Sequence, residues 1–187
     1  IGIAVVGTRK CSMYGRKICK IFTNNLVGHN FNIISGLATG IDACSHRTCI
    51  EAKGKTIAVL PSGFNDIFPK ENEELVNQII ERGGTVLTEY PPEFEKTSES
   101  CRERNRIISG LAIATLVIEA GEYSGTSITA KHAKEQNKKV FCIPRTYKSS
   151  MYINIVTRDK SKFVLYPSNS FVLNMSFENT DLYSGNL

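Results

Sequence analysis

The chain has 187 residues, 41% hydrophobic and 22% charged, which reads as one soluble globular domain with a short appendage and excludes general disorder. The net charge is +5, but the stretch from Pro167 to Leu187 has no Lys or Arg and carries Glu178 and Asp181, so the other 166 residues carry +7 once that −2 is removed. This modest basic excess permits a polyanionic partner without requiring one.

The pattern alternates strand and helix along the chain. Ile3–Val6 is a short apolar strand, and Tyr14–Val27 an amphipathic helix with Ile18, Ile21, Phe22 and Leu26 at helical spacing. Asn32–Ile34 is a second strand, followed by a helix over Ile41–Ala52 that Gly54 ends. Thr56–Leu60 is a third strand, Glu71–Arg82 a helix stopped by Gly83-Gly84, and Thr85–Thr88 a fourth strand closed by Pro91-Pro92. The polar stretch Pro92–Glu103 reads as a loop. Then come a helix over Arg104–Leu111, a strand over Leu116–Glu119, a helix over Thr126–Gln136 and a last strand over Lys139–Ile143. Apolar strands alternating with helices predict a mostly parallel sheet covered on both faces. Right-handed crossovers make it a doubly wound, Rossmann-like single domain. Residues 1–166 form this core, and the Asn- and Ser-rich residues 167–187 form a tail or linker. The chain starts at Ile1, close to its first strand, and reads as an excised piece. Its longest apolar run, Leu111 to Ile118, falls short of the ~20 residues that cross a bilayer, so no membrane association is expected.

Six cysteines (Cys11, Cys19, Cys44, Cys49, Cys101 and Cys142) form no C-x-x-C pair and read as reduced, cytoplasmic packing thiols. Cys44, His46 and Cys49 fit no common zinc spacing, so no metal is expected.

In a doubly wound sheet, ligands bind beyond the carboxyl ends of the strands. Three small-residue loops fall there: Gly7-Thr8-Arg9, Ser35-Gly36-Leu37-Ala38-Thr39-Gly40, and Ser124-Gly125-Thr126-Ser127. Small residues let backbone amides approach a ligand, and helix N-termini favour an anion such as phosphate. Gly and Ser also make ordinary turns and caps, so the reading rests on three such loops sharing one edge. There is no Walker A motif, and the first loop lacks G-x-G-x-x-G, so a nicotinamide cofactor is not expected, and no cofactor is assigned. In Gly121-Glu122-Tyr123-Ser124-Gly125 the serine is one position late for a nucleophile elbow. His46 and His132 read as packing or surface residues. Arg102, Arg104 and Arg106 cluster around Asn105, Arg9, Lys10, Arg16 and Lys17 flank the first loop, and Arg145 and Lys148 follow the last strand. Such side chains fork phosphate oxygens, and rings at Tyr14, Phe64, Phe68, Tyr90 and Tyr147 offer base stacking, Phe68 fitting the core equally well.

Together these loops resemble the DprA/Smf family of bacterial DNA-processing proteins. Gly7-Thr8-Arg9-Lys10-Cys11-Ser12-Met13-Tyr14-Gly15 is similar to the family's G-S-R-x-x-S-x-Y-G, and Ser35-Gly36-Leu37-Ala38-Thr39-Gly40-Ile41-Asp42, with His46, to S-G-L-A-R-G-I-D and its histidine. Thr56–Leu60, Phe68-Pro69-Lys70-Glu71-Asn72 and Thr88-Glu89-Tyr90-Pro91-Pro92 resemble further blocks. So do Arg104-Asn105-Arg106-Ile107-Ile108-Ser109-Gly110-Leu111, Ser124-Gly125-Thr126-Ser127-Ile128-Thr129-Ala130 and Val140-Phe141-Cys142-Ile143-Pro144. The blocks keep their order over about residues 3–166. The chain departs at Thr39, where the family carries arginine, at Asn65, Cys101-Arg102 and Arg145, and in Ser150-Met151-Tyr152-Ile153-Asn154, which lacks the family's glycine; it reads as a divergent member.

The resemblance implies a cytoplasmic homodimer that binds single-stranded DNA without sequence preference and hands it to the RecA recombinase in transformation or recombination, with no enzymatic activity. On this reading backbone amides of Gly7, Gly36, Gly40, Gly125 and Thr126 line a phosphate pocket beside Thr8. Arg9, Arg104 and Arg106 supply charge, Asn105 a positioning hydrogen bond, and Ser35, Ser124 and Ser127 hydroxyls. Asp42 braces the second loop, because a carboxylate repels phosphate. Two alternatives use the same pocket: a small-nucleotide sensor, and a nucleoside-monophosphate phosphoribohydrolase of the related P-G-G-x-G-T-x-x-E group. Thr129 stands where that group's catalytic glutamate belongs, which removes the general acid/base.

Overall fold

The computed structural model describes residues 1–121 and 124–143. The expectations for Arg145, Tyr147, Lys148, the Ser150–Asn154 block and the boundary at 166/167 lie outside the described residues.

Six strands build one sheet: β1 (Gly2–Val6), β2 (Asn32–Ser35), β3 (Thr56–Val59), β4 (Thr85–Leu87), β5 (Ala114–Val117) and β6 (Lys139–Cys142). Their order is β4-β3-β2-β1-β5-β6, and every pairing is parallel. The fold is therefore Rossmann-like, with its switch point between β1 and β5, where the direction of winding reverses.

The strand sequences explain the two covers. Successive side chains on a strand point to opposite faces. Ile3 and Val5 of β1 join Ile33 and the helix residues Ile18, Phe22 and Leu26 in one cluster. Ala4 and Val6 join Ile34, Ile108, Ala130 and Ala133 in another. Strands buried on both faces read as uninterrupted apolar runs rather than alternating ones. The first face carries α1 (Met13–Gly28), α2 (Ile41–Glu51) and α3 (Glu73–Glu81). The second carries α5 (Asn105–Leu111) and α6 (Gly125–Glu135). Ile21, placed on the apolar stripe by spacing, is instead 40% exposed at the edge of the α1 stripe.

One expectation is overturned. Ser98–Glu103, read as loop, forms a helix, α4. Thr97 caps it by accepting from the Ser100 amide at 2.9 Å, and Ser100 Oγ accepts from the Thr97 amide at 3.0 Å. These reciprocal bonds satisfy amides that the first turn of a helix leaves unpaired. Smaller shifts occur elsewhere: β5 starts two residues earlier than expected, and a 3-10 turn at Lys70–Asn72 precedes α3.

Candidate nucleic-acid interface

The loops after β1, β2 and β5 meet at the switch point. The Thr8 amide donates to Glu119 O at 2.7 Å, and the Ile41 amide to Thr8 O at 3.2 Å. Gly40 has φ +82°, and a Cβ there would lie 2.3 Å from Thr8 O and 2.5 Å from Arg9 O. Only glycine combines that backbone conformation with so close an approach of the neighbouring loop. Gly7 presses on the Ile41 side chain in the same seam, while Thr8 Oγ1 accepts from the Lys10 amide at 3.3 Å.

The second loop is held from beneath by buried polar groups. The Gly36 amide donates to Asp42 Oδ2 at 3.2 Å. Arg104 Nη1 donates to Gly36 O at 2.7 Å and also to Val59 O. A Cβ on Gly36 would lie 2.7 Å from Arg104 Nη2, so the guanidinium sits directly against this glycine. Asn72 Nδ2 adds a 2.7 Å bond to Leu37 O, and Arg47 Nη2 donates to Asn72 Oδ1 at 3.1 Å. Burial raises the Asp42 carboxyl to about 6, against the opposing pull of Arg104 and of the Gly36 and Ala38 amides. His46 is wholly buried, and burial, helped by Arg104 and Arg47, lowers its pKa to about 3. Thr56 Oγ1 donates to Ile33 O at 2.8 Å, so at its 2.7 Å contact with His46 Nδ1 it is the acceptor and the imidazole carries its proton on Nδ1. A neutral, buried ring of this kind is a packing group.

These contacts correct two expected roles. Arg104 is 5% exposed and braces the Gly36 turn, rather than projecting a charge into an open pocket. Ser35 is wholly buried and its hydroxyl donates to Val5 O at 2.6 Å, which places it behind the loop and out of reach of a phosphate. Asp42 braces the second loop, as read from the sequence.

The remaining residues divide between the surface and the packing beneath it. Arg9 and Arg106 are exposed, and Arg106 Nη2 reaches both carboxylate oxygens of Glu89 at 2.6 and 2.7 Å. Asn105 links the two halves of the edge: its Nδ2 donates to Gly125 O at 3.1 Å and its Oδ1 accepts from Arg104 Nε at 3.3 Å. Gly125 is exposed and Thr126 buried at the start of α6, whose first turn carries no acidic residue. Ser127 Oγ accepts from the Ser124 amide at 3.3 Å and donates to Ser124 O at 2.6 Å, closing that turn. Thr129 Oγ1 donates to Gly125 O at 3.3 Å.

Glu119 has a part that the sequence reading gave it no role for. Its Oε2 accepts from the Ser12 amide at 2.9 Å and from Ser12 Oγ at 3.1 Å, while Ser12 Oγ accepts from the Gly15 amide at 3.0 Å. An internal carboxylate thus sits at the N-terminus of α1, where an anion had been expected. The sequence signal was an acidic residue ending an apolar strand, with nothing to say which helix it would reach. Beside the edge, Tyr90 stacks on Phe94 with ring centroids 4.3 Å apart, and Lys96 Nζ lies 4.4 Å from the Phe68 ring centre.

Comparison with known proteins places this geometry. The family model for DNA recombination-mediator protein A matches residues 1–164. DNA processing protein DprA of Bacillus subtilis is 41% identical over 142 residues, covering 76% of this chain and 48% of that protein. The chain spans less than half the length of the first curated relatives it matches. The X-ray structure of DNA processing protein A from Streptococcus pneumoniae superposes with a TM-score of 0.76 at 34% identity, over 88% of this chain and 58% of that one. DNA processing protein A from Helicobacter pylori, described for its unique single-stranded DNA binding mode, gives a TM-score of 0.73 at 26% identity, over 79% of this chain and 67% of that one.

Proposed function

The chain belongs to the DNA recombination-mediator protein A family, and from that premise we propose that it is a DNA-processing module that binds single-stranded DNA without sequence preference at the carboxyl edge of its sheet. One observation carries the reading: the loops after β1, β2 and β5 are bound to one another at the switch point, with Arg9 and Arg106 exposed beside them and the acid-free first turn of α6 opening there. The interlocked loops supply a rigid backbone surface, and the exposed arginines supply charge that a phosphate backbone can exchange for its counterions. The Tyr90–Phe94 stack flanks this edge as a surface for bases, since stacking tolerates any base.

The module acts in the cytoplasm without enzymatic activity, as one half of a homodimer, and presents the bound strand to RecA recombinase. Thr129, where the related hydrolases place their glutamate, is buried with its hydroxyl on a backbone carbonyl, which supports binding over base release.

Glu89 competes with phosphate for Arg106. Glu89→Gln should therefore tighten single-stranded DNA binding several-fold at low salt, and Arg106→Ala should weaken it and reduce the salt slope by about 0.7. Fluorescence anisotropy across a salt series checks both. Equal affinities and slopes for the folded wild type and both variants would remove Arg106 from the interface.

A further inference from the structure

All six cysteines are free thiols, and two of them meet across the seam between α1 and α2. A helical side chain covers the turn ahead of its own Cα. Cys19 Sγ, on α1, lies 3.7 Å from Ile41 O, three residues ahead of Cys44 on α2. Cys44 Sγ lies 3.9 Å from Arg16 O, three residues ahead of Cys19. Each sulfur therefore occupies the ground that the other's side chain covers, which makes the two thiols neighbours across the seam. We propose that Cys19 and Cys44 are a peroxide-responsive thiol pair that closes to a disulfide tying α1 to α2.

The two thiols are unlike, as such chemistry requires. Cys44 is partly exposed; the neighbouring Cys19 thiol, aided by the Lys20 and Arg16 charges on α1, outweighs burial and lowers it to about 6. Cys19 is wholly buried, and the neighbouring Cys44, burial and the nearby Asp42 charge push it up. The reactive form of a cysteine is the thiolate, so Cys44 attacks and Cys19 resolves. The oxidant is hydrogen peroxide. The Cys44 thiolate takes the terminal oxygen as the O–O bond breaks, and the departing hydroxide collects a proton to leave as water. The Cys19 sulfur then attacks the Cys44 sulfenic sulfur. The S–O bond breaks, the Cys19 proton leaves with the hydroxyl as a second water, and the S–S bond forms. Two thiols are oxidised by two electrons and one peroxide is reduced to two waters. The linkage would fasten the second turn of α1 to the first turn of α2, the helices that follow the first two loops.

Trypsin separates the candidates, because Arg16, Lys20 and Arg47 fall between Cys11, Cys19, Cys44 and Cys49. The whole chain is treated with hydrogen peroxide, digested and mapped by mass spectrometry, with no DNA present, so the outcome is independent of the proposed binding function. The expected result is a linked Cys19–Cys44 peptide pair, two hydrogens lighter than the sum of its parts, lost on adding reductant and absent from Cys44→Ser. Cys19→Ser should instead accumulate sulfenic acid at Cys44, trapped by dimedone. Wild-type protein with both thiols still unlinked, or first oxidised at Cys11 or Cys101, would overturn the proposal.

Discussion

Arg104 and Arg106 stand two residues apart and have opposite fates. Residues i and i+2 on a helix do not share a face, so one packs inward as the other meets solvent. The sequence makes them look alike because both are arginines in one basic run; the helix rotation that separates them was legible, and the identity of the inward partner was not. Removing Arg104 would take a positive charge from the neighbourhood of buried Asp42 and a donor from the Gly36 and Val59 carbonyls. Arg104→Ala should therefore lower stability by about 2–5 kcal/mol, since each buried polar group left unpaired costs about 1–3 kcal/mol, and urea unfolding would read it. A loss below about 1 kcal/mol would mean that the guanidinium is not the brace described above. Asp42 and His46 make opposed contributions to pH dependence. Between about 4 and 6, folded Asp42 keeps a proton that the unfolded chain has released, so its contribution to stability falls as pH rises. Over the same window the unfolded chain protonates His46 and the folded protein does not, so that contribution rises with pH. Each slope is about 1.4 kcal/mol per pH unit, and in the wild type they offset. Urea midpoints should fall from pH 4 to 6 in His46→Gln and rise in Asp42→Asn, relative to wild type. Parallel curves for all three proteins would rule out both assignments.

At the scale of elements, the strands were the most legible part, because burial on both faces leaves short, unbroken apolar runs such as that of β1. The helix α4 was hidden inside a polar stretch. Its six residues carry no apolar stripe, and its signal was only the Thr97 and Ser100 spacing of a capping box. The three loops were legible as small-residue turns, but their mutual contacts were not, because residues 8, 40 and 119 are brought together only by the crossover connections. Gly40 is where that assembly is most constrained. Gly40→Ala would add a Cβ against the Thr8 and Arg9 carbonyls at a positive φ, so the first two loops must part. The expected loss is more than about 1 kcal/mol, seen as a lower thermal midpoint, with single-stranded DNA affinity falling as the edge opens. A variant with unchanged midpoint and affinity would show that the loops are not interlocked through this residue.

At the scale of the molecule, the winding order places the switch point at the β1/β5 junction, and everything proposed for DNA converges there. The net charge pointed to a polyanion only weakly. The ordered series of blocks, matched by the family model over residues 1–164, is what narrows the ligand class. The internal carboxylates of Glu119 and Asp42 occupy positions near two of the three helix starts, leaving α6 and the exposed arginines as the open, basic part of the edge. The decisive measurement is fluorescence anisotropy of labelled single-stranded DNA, titrated with the protein at two salt concentrations, with duplex DNA and AMP as competitors. The account predicts micromolar or tighter binding that weakens with salt and that duplex and AMP displace poorly. Absence of binding at low salt, or displacement by AMP alone, would contradict it and make this edge a site for a small nucleotide.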